Sequence, residues 1–155
     1  MAKAIGVLKG RKMVRVGVKR VHPDAVLPKY AHSGDYGDLA ADLFAVEEVT
    51  FTVGDVKTIA TGIALEFPPG YGGIIADRSG LAKRGLTTLA GVIDPGYRGE
   101  IRVVAAYLGT GTLRIGVRDR IAQLRIVHRL DATFHEVDEL GESERSDRGF
   151  GSSGK

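Results

Sequence analysis

Residues Asp77–Ile101 read DRSGLAKRGLTTLAGVIDPGYRGEI, two polar signatures joined by a short connector. The stretch follows an apolar, strand-like run, Gly73-Ile74-Ile75-Ala76. Asp77-Arg78-Ser79-Gly80-Leu81-Ala82 then leaves room for one helical turn before Gly85 stops it. A Ser at a strand-to-helix turn can cap the helix, and the free N–H groups there suit an anion such as phosphate. The second signature, Gly91–Ile101, reads as a tight β-hairpin. Asp94-Pro95-Gly96 puts Pro second and Gly third, as a type II turn requires. A carboxylate (Asp94) and an aromatic ring (Tyr97) are thereby held at the mouth of a rigid element, which places reacting groups well.

The same grammar continues on both sides. Val14–Val18 alternates with the strand period, and Val49–Val53 is a β-branched and aromatic run ended by Gly54-Asp55. Lys57–Phe67, Glu100–Leu108, Thr112–Val117, Ile121–Arg129 and Thr133–Val137 are further strand-like runs, and no segment sustains a helical period beyond a turn or two. Short strands with Gly and Pro turns imply an all-β sandwich or barrel. The length of 155 residues suits one domain.

Composition narrows the function. Cys is absent, so no disulfide, thiol nucleophile or thiolate metal site is available, and cytosol is the default compartment. No apolar run approaches the roughly 20 residues of a membrane helix. The net charge of +3 is modest, and with 6% aromatic residues and no Trp the chain lacks a stacking platform for single strands. The composition therefore speaks against a nucleic-acid partner. His22, His32, His128 and His135 are scattered, without zinc-ligand spacing. No Gly-rich loop ends in Lys-Ser/Thr, so phosphate binding needs a device other than a P-loop. Residues 1–12 read as a flexible basic leader, 13–140 as the β domain, and 141–155 as a polar, Gly/Ser-rich arm with Phe150 its one large apolar side chain.

Five ordered motifs give the chain a recognisable likeness: AADLFA (Ala40–Ala45), RSGLA (Arg78–Ala82), GVIDPGYRGE (Gly91–Glu100), DRIAQL (Asp119–Leu124) and RSDRGFGSSG (Arg145–Gly154). From about Pro28 to its end the chain resembles the homotrimeric deoxyuridine triphosphatases. That resemblance implies a β-clip or jelly-roll-type barrel with one short helix, and Mg²⁺-dependent hydrolysis of dUTP to dUMP and pyrophosphate. Such an activity limits uracil incorporation into DNA and supplies dUMP for dTMP synthesis. It implies Asp94 as the base for the attacking water, with Ser79, Gln123, Arg78 and Gly80 on the phosphates. Tyr97 would pack on the deoxyribose, and the backbone of Gly91, Val92 and Ile93 would read the uracil edge. Arg145, Phe150, Gly151 and Ser152 would close over the nucleotide, with sites formed between the three subunits. Asp42 would hold Mg²⁺ through water, with Asp38 a rival.

Taken on their own residues, these positions have plainer readings. Asp42 is a solvated acid, Asp94 starts a turn, Gln123 sits in an ordinary strand, and the arm is a frayed end. The chain also departs from the family pattern. Ala40-Ala41 replaces Gly-Tyr, Gly34–Leu39 looks longer than usual, and Thr87-Thr88-Leu89-Ala90 stands where an Asn or Asp often occurs. Asp77 stands where Pro is usual, so it is expected to turn away from the nucleotide or pair with a base. Two rivals remain. A dCTP deaminase shares the grammar but needs a Glu near Val104, and a non-catalytic nucleotide-dependent binding protein could use the same trimer.

Overall fold

A computed structural model of the chain describes residues 5–8 and 11–143, with residues 5–8, 11 and 12 described by backbone alone. Arg145, Phe150, Gly151 and Ser152 lie outside the described residues. In order the elements are β1 (Ile5–Leu8), β2 (Arg11–Val14), β3 (Gly17–Arg20), β4 (Ala41–Phe44), β5 (Val49–Thr52), β6 (Val56–Glu66) and β7 (Tyr71–Ala76). They continue with α1 (Ser79–Ala82), β8 (Leu86–Leu89), β9 (Val92–Ile93), β10 (Glu100–Tyr107), β11 (Thr112–Ile115) and β12 (Arg120–His128).

Two four-stranded sheets dominate, with strand orders β3-β6-β10-β8 and β4-β12-β7-β9; β1-β2 and β11-β5 form two-stranded ribbons. Every named pairing is antiparallel. The chain is all-β, as expected, although its sheets are open and do not close into a barrel. Leu43, Ile121 and Leu124 of one sheet, Ile59, Ile63, Ile101 and Val103 of the other, and Phe51 and Leu113 of the β5–β11 ribbon share one core. In β10, alternate residues Ile101, Val103, Ala105 and Tyr107 are buried, the period of a strand with one face on a core. Interior strands are long (11 residues in β6, 8 in β10, 9 in β12, 6 in β7), whereas the edges β3, β4, β8 and β9 have 4, 4, 4 and 2.

One glycine fixes the join between β6 and its neighbours. The β10 register on β6 steps from Glu100↔Ala64 to Arg102↔Ala60, and Gly62 sits inside that step. Its φ is +67°, and a Cβ there would lie 2.7 Å from the His22 Cβ and 2.9 Å from a Val46 methyl. The Gly62 N–H donates to Glu100 Oε1 at 2.9 Å, so the base of the 91–101 hairpin is tied to the centre of the sheet.

Three local expectations change. Thr133–Val137 forms no strand: Phe134 is 97% exposed, and no strand among the described residues completes its ladder. Val14–Val18 is not one run, because β2 ends at Val14 and β3 begins at Gly17. Within the expected leader, Ile5–Leu8 pairs with Arg11–Val14.

Candidate active site

Three of the motifs meet on adjacent strands. Gln123 on β12 is opposite Asp42 on β4 and opposite Ala76 at the end of β7. Directly opposed residues share a face of a sheet, so Asp42 and Gln123 lie side by side where β7 hands over to Asp77-Arg78-Ser79. Asp42 is buried, at 6% exposure, in a strand rather than on a loop. Its Oδ1 lies 3.7 Å from Arg78 Nε, and its Oδ2 is 3.4 Å from Arg120 Nη1. A buried carboxylate needs such cations, because burial removes the water that would otherwise stabilise its charge. Arg120 is a participant the sequence reading passed over, although it stands three residues before Gln123. The rival acid Asp38 is engaged elsewhere, accepting from the His32 N–H at 2.7 Å and lying 3.0 Å from His32 Nδ1. Those contacts with His32 outweigh slight desolvation and hold the Asp38 pKa below its ordinary value.

Asp42 Oδ1 is buried without a hydrogen-bond partner. Among the described residues, no group of three His, Cys, Asp or Glu side chains could hold a metal ion. One carboxylate between two guanidiniums is a poor direct ligand for a dication. It fits a Mg²⁺ carried by phosphate oxygens and waters, one of which Oδ1 could receive as a hydrogen bond.

The step after β7 differs from the capping arrangement expected. The residue before α1 is Arg78, with no side-chain cap, and Ser79 is the first helical residue. Leu81 and Ala82 both return their N–H to the Arg78 carbonyl at 2.9 Å. The Ser79 and Gly80 amides therefore fall outside the helical ladder, on an exposed turn. The Asp77 carboxylate pairs with hydroxyls and an amide rather than with a base. It accepts from Thr87 Oγ1 at 2.9 Å, Thr88 Oγ1 at 2.7 Å and the Thr88 N–H at 2.5 Å.

The hairpin is braced on itself. The Tyr97 N–H donates to the Asp94 carbonyl at 3.1 Å, but Gly96 stays outside the left-handed region, so the turn is not type II. Arg98 Nη1 donates to the Pro95 and Tyr97 carbonyls at 2.8 and 3.0 Å, and Tyr97 Oη donates to the Glu100 carbonyl at 3.1 Å. The Asp94 side chain is exposed, and the Tyr97 ring is 46% exposed. At the base of the hairpin Gly91 adopts φ +106°, and its carbonyl takes the Ile75 N–H at 2.8 Å. Val92 is 71% exposed, while Ile93 packs partly against the core.

The two halves do not meet within one chain. Ile93 pairs with Gly73, which sets Asp94 beside Gly72; Gln123 and Asp42 are level with Ala76. Four strand residues separate those levels, about 13 Å. Asp94 and Tyr97 thus stand at one end of β7, and Arg78 and Ser79 leave the other.

The family model described as dUTPase matches residues 24–154. A deoxyuridine 5'-triphosphate nucleotidohydrolase of Solibacter usitatus (strain Ellin6076) is 43% identical over 145 residues, covering 92% of this chain and 97% of the relative. One of the same description from Thermobifida fusca (strain YX) is 48% identical over 145 residues, 91% of this chain and 79% of the relative. Among solved structures, the Staphylococcus bacteriophage 80alpha dUTPase with dUPNHPP superposes with a TM-score of 0.78 at 28% identity, covering 91% of this chain and 99% of its own. In sequence and in fold, this chain belongs to the dUTPase family.

Proposed function

We propose that the chain hydrolyses dUTP to dUMP and pyrophosphate at a site assembled from two ends of β7 in different copies. The observation that carries this reading is the paired arrangement just described. An exposed carboxylate stands on a self-braced hairpin, and a cationic, amide-rich step stands beside Gln123 and the Asp42–Arg78–Arg120 cluster. In the reaction Asp94 accepts a proton from water as the oxygen attacks the triphosphate. The bond joining dUMP to pyrophosphate breaks, and the electron pair leaves on pyrophosphate. Arg78, the Gln123 amide and the free N–H groups of Ser79 and Gly80 receive the charge that develops there. Tyr97 stacks on the deoxyribose, where a 2′-hydroxyl would collide with the ring, and the Gly91–Ile93 backbone reads the uracil edge. Arg145, Phe150, Gly151 and Ser152 complete the site as the 141–155 arm closes. Asp42 would hold a water of a Mg²⁺ carried by the triphosphate, and the ion would neutralise part of the phosphate charge.

A trimer follows from the same reading, with the domain 13–140 as its unit. The separation of Asp94 from Ser79 supports it. So do Leu130, Phe134 and Leu140, which are 84%, 97% and 89% exposed along a segment with no strand of its own. Deamination is disfavoured, since Val104 brings no carboxylate to β10. No helix among the described residues is long and apolar enough to cross a membrane, and we place the enzyme in the cytoplasm. The test is pyrophosphate release from dUTP beside dCTP, dTTP and UTP. The expected kcat/KM for dUTP exceeds the others by roughly 10²-fold or more, the scale of a steric filter reinforced by lost hydrogen bonds. Equal rates on UTP and dUTP would refute it.

A further inference from the structure

Asp77 occupies the only residue between the end of β7 and the Arg78–Ser79 step. Its carboxylate takes three bonds from a strand of the other sheet: the Thr87 hydroxyl at 2.9 Å, the Thr88 hydroxyl at 2.7 Å and the Thr88 N–H at 2.5 Å. Thr88 is itself fixed, because β8 pairs with β10 and Thr88 is opposite Ala105. One carboxylate therefore pins the end of the β4-β12-β7-β9 sheet to the edge of the β3-β6-β10-β8 sheet. Burial pushes its pKa up, but the Thr88 N–H and the Thr88 and Thr87 hydroxyls outweigh that and hold it below the ordinary value, so it is ionised near neutrality. This is a fixed negative charge one residue from a step that faces a polyanion.

We propose that Asp77 is a positioning residue with two effects: it sets the Arg78–Ser79–Gly80 step at the height from which Arg78 reaches Asp42, and Thr87 and Thr88 keep its own charge turned away from the triphosphate. The inference rests on the hydrolase reading above. A carboxylate freed from the two threonines would swing towards the same free amides that receive phosphate, and would compete for them. Removing the charge is then less damaging than releasing it. A purely structural latch predicts the reverse order, because each lost partner only loosens the fold further.

The test uses the full-length enzyme. Thr87→Val/Thr88→Val removes both hydroxyls and leaves the carboxylate on the Thr88 N–H alone, free to turn about it, and adding Asp77→Asn to that pair removes its charge. Affinity for a non-hydrolysable dUTP analogue and kcat/KM for dUTP are measured together with melting temperature. The Thr87→Val/Thr88→Val enzyme is expected to bind the analogue about tenfold more weakly, the scale of losing a charge-assisted hydrogen bond. Most of that affinity should return when Asp77→Asn is added, although the melting temperature does not. Thr87→Ser, which keeps the hydroxyl, should behave as the parent. If the Val pair fails to fold, Thr88→Val with and without Asp77→Asn gives the same comparison at smaller amplitude, since it removes the shorter of the two hydroxyl bonds. Variants within twofold of the parent, or an affinity that falls further when the charge is removed, would overturn the proposal. A parent that binds no nucleotide overturns both readings, whereas an active parent with unresponsive variants overturns this one alone.

Discussion

Two impaired variants should rescue one another. Asp94→Asn retains a group that can hold water but cannot take its proton, so kcat should fall at least about 10²-fold. Ser79→Ala removes a hydroxyl from the opposite half of the site, with a loss on the order of tenfold or more. The register puts roughly 13 Å of strand between the levels of these halves, so neither chain can bring its own Asp94 to its own Ser79 step. In a closed ring each site draws one half from one copy and the other half from the next. When the variants are mixed 1:1, unfolded and refolded together, each half is intact in half of all cases. About a quarter of the sites should then be complete, and the mixture should recover about a quarter of parental kcat. The assay is pyrophosphate release from dUTP, with separately refolded variants and the Ser79→Ala/Asp94→Asn double variant as controls. A mixture no more active than the mean of its two parents would show that each site is built within one chain.

Three other outcomes follow from the geometry. Gly62→Ala places a Cβ 2.7 Å from His22 Cβ at φ +67°. Left-handed strain plus overpacking should destabilise by about 2–5 kcal/mol, lowering Tm by about 5–15 °C; a shift below 2 °C in a thermal melt would contradict the close packing. Asp55 accepts from the Thr52 N–H and from Lys57, which lower its pKa from 3.8 to about 2. A depressed carboxylate stabilises fully above its unfolded value and loses that effect as pH falls through its folded value. The Tm difference between parent and Asp55→Asn should therefore be constant above pH 5 and vanish between about 4 and 2, as melts along a pH series would reveal. Deleting residues 145–155 should leave Tm nearly unchanged but strip most turnover, because the proposed function gives Arg145 and Phe150 work only on bound nucleotide. The parent has no Trp, so the indole of Phe150→Trp should change its fluorescence on adding the analogue, and a silent indole would remove the arm from the site.

Much of the architecture was legible because buried strands write their period into the sequence. Glu100–Leu108 was expected and β10 spans Glu100–Tyr107; Lys57–Phe67 was expected and β6 spans Val56–Glu66. Strands whose side chains serve other ends were harder to see. β4 is hidden within the Ala40–Ala45 motif, because nothing local says that Asp42 meets cations from residues 36 and 78 positions away. β8 resembles a connector in sequence, since Thr87 and Thr88 spend their hydroxyls on Asp77 rather than on a core. Thr133–Val137 has a strand's composition but no ladder partner among the described residues. Gly96 departs from the type II expectation because Asp-Pro-Gly suits two turn types, and Arg98 braces the one adopted. The candidate site divides in the same way. The residue types at Asp94, Ser79 and Gln123 are legible as motifs, but the distance between the Asp94 and Ser79 levels depends on register, which no single segment encodes.

The uneven strand lengths bear on how the protein fails. A passing chain can only extend a sheet where unpaired amide and carbonyl groups line up in sufficient number, and edges of 2 to 4 residues offer few. The intact molecule is therefore a poor template for runaway cross-β growth even when crowded. That protection lies wholly in the short outer strands. Heat that peels β3 or β8 away uncovers the 11-residue ladder of β6 or the 8-residue ladder of β10, either long enough to seed aggregation. Reversibility should thus disappear at the temperature where an edge detaches, below that at which the core itself melts.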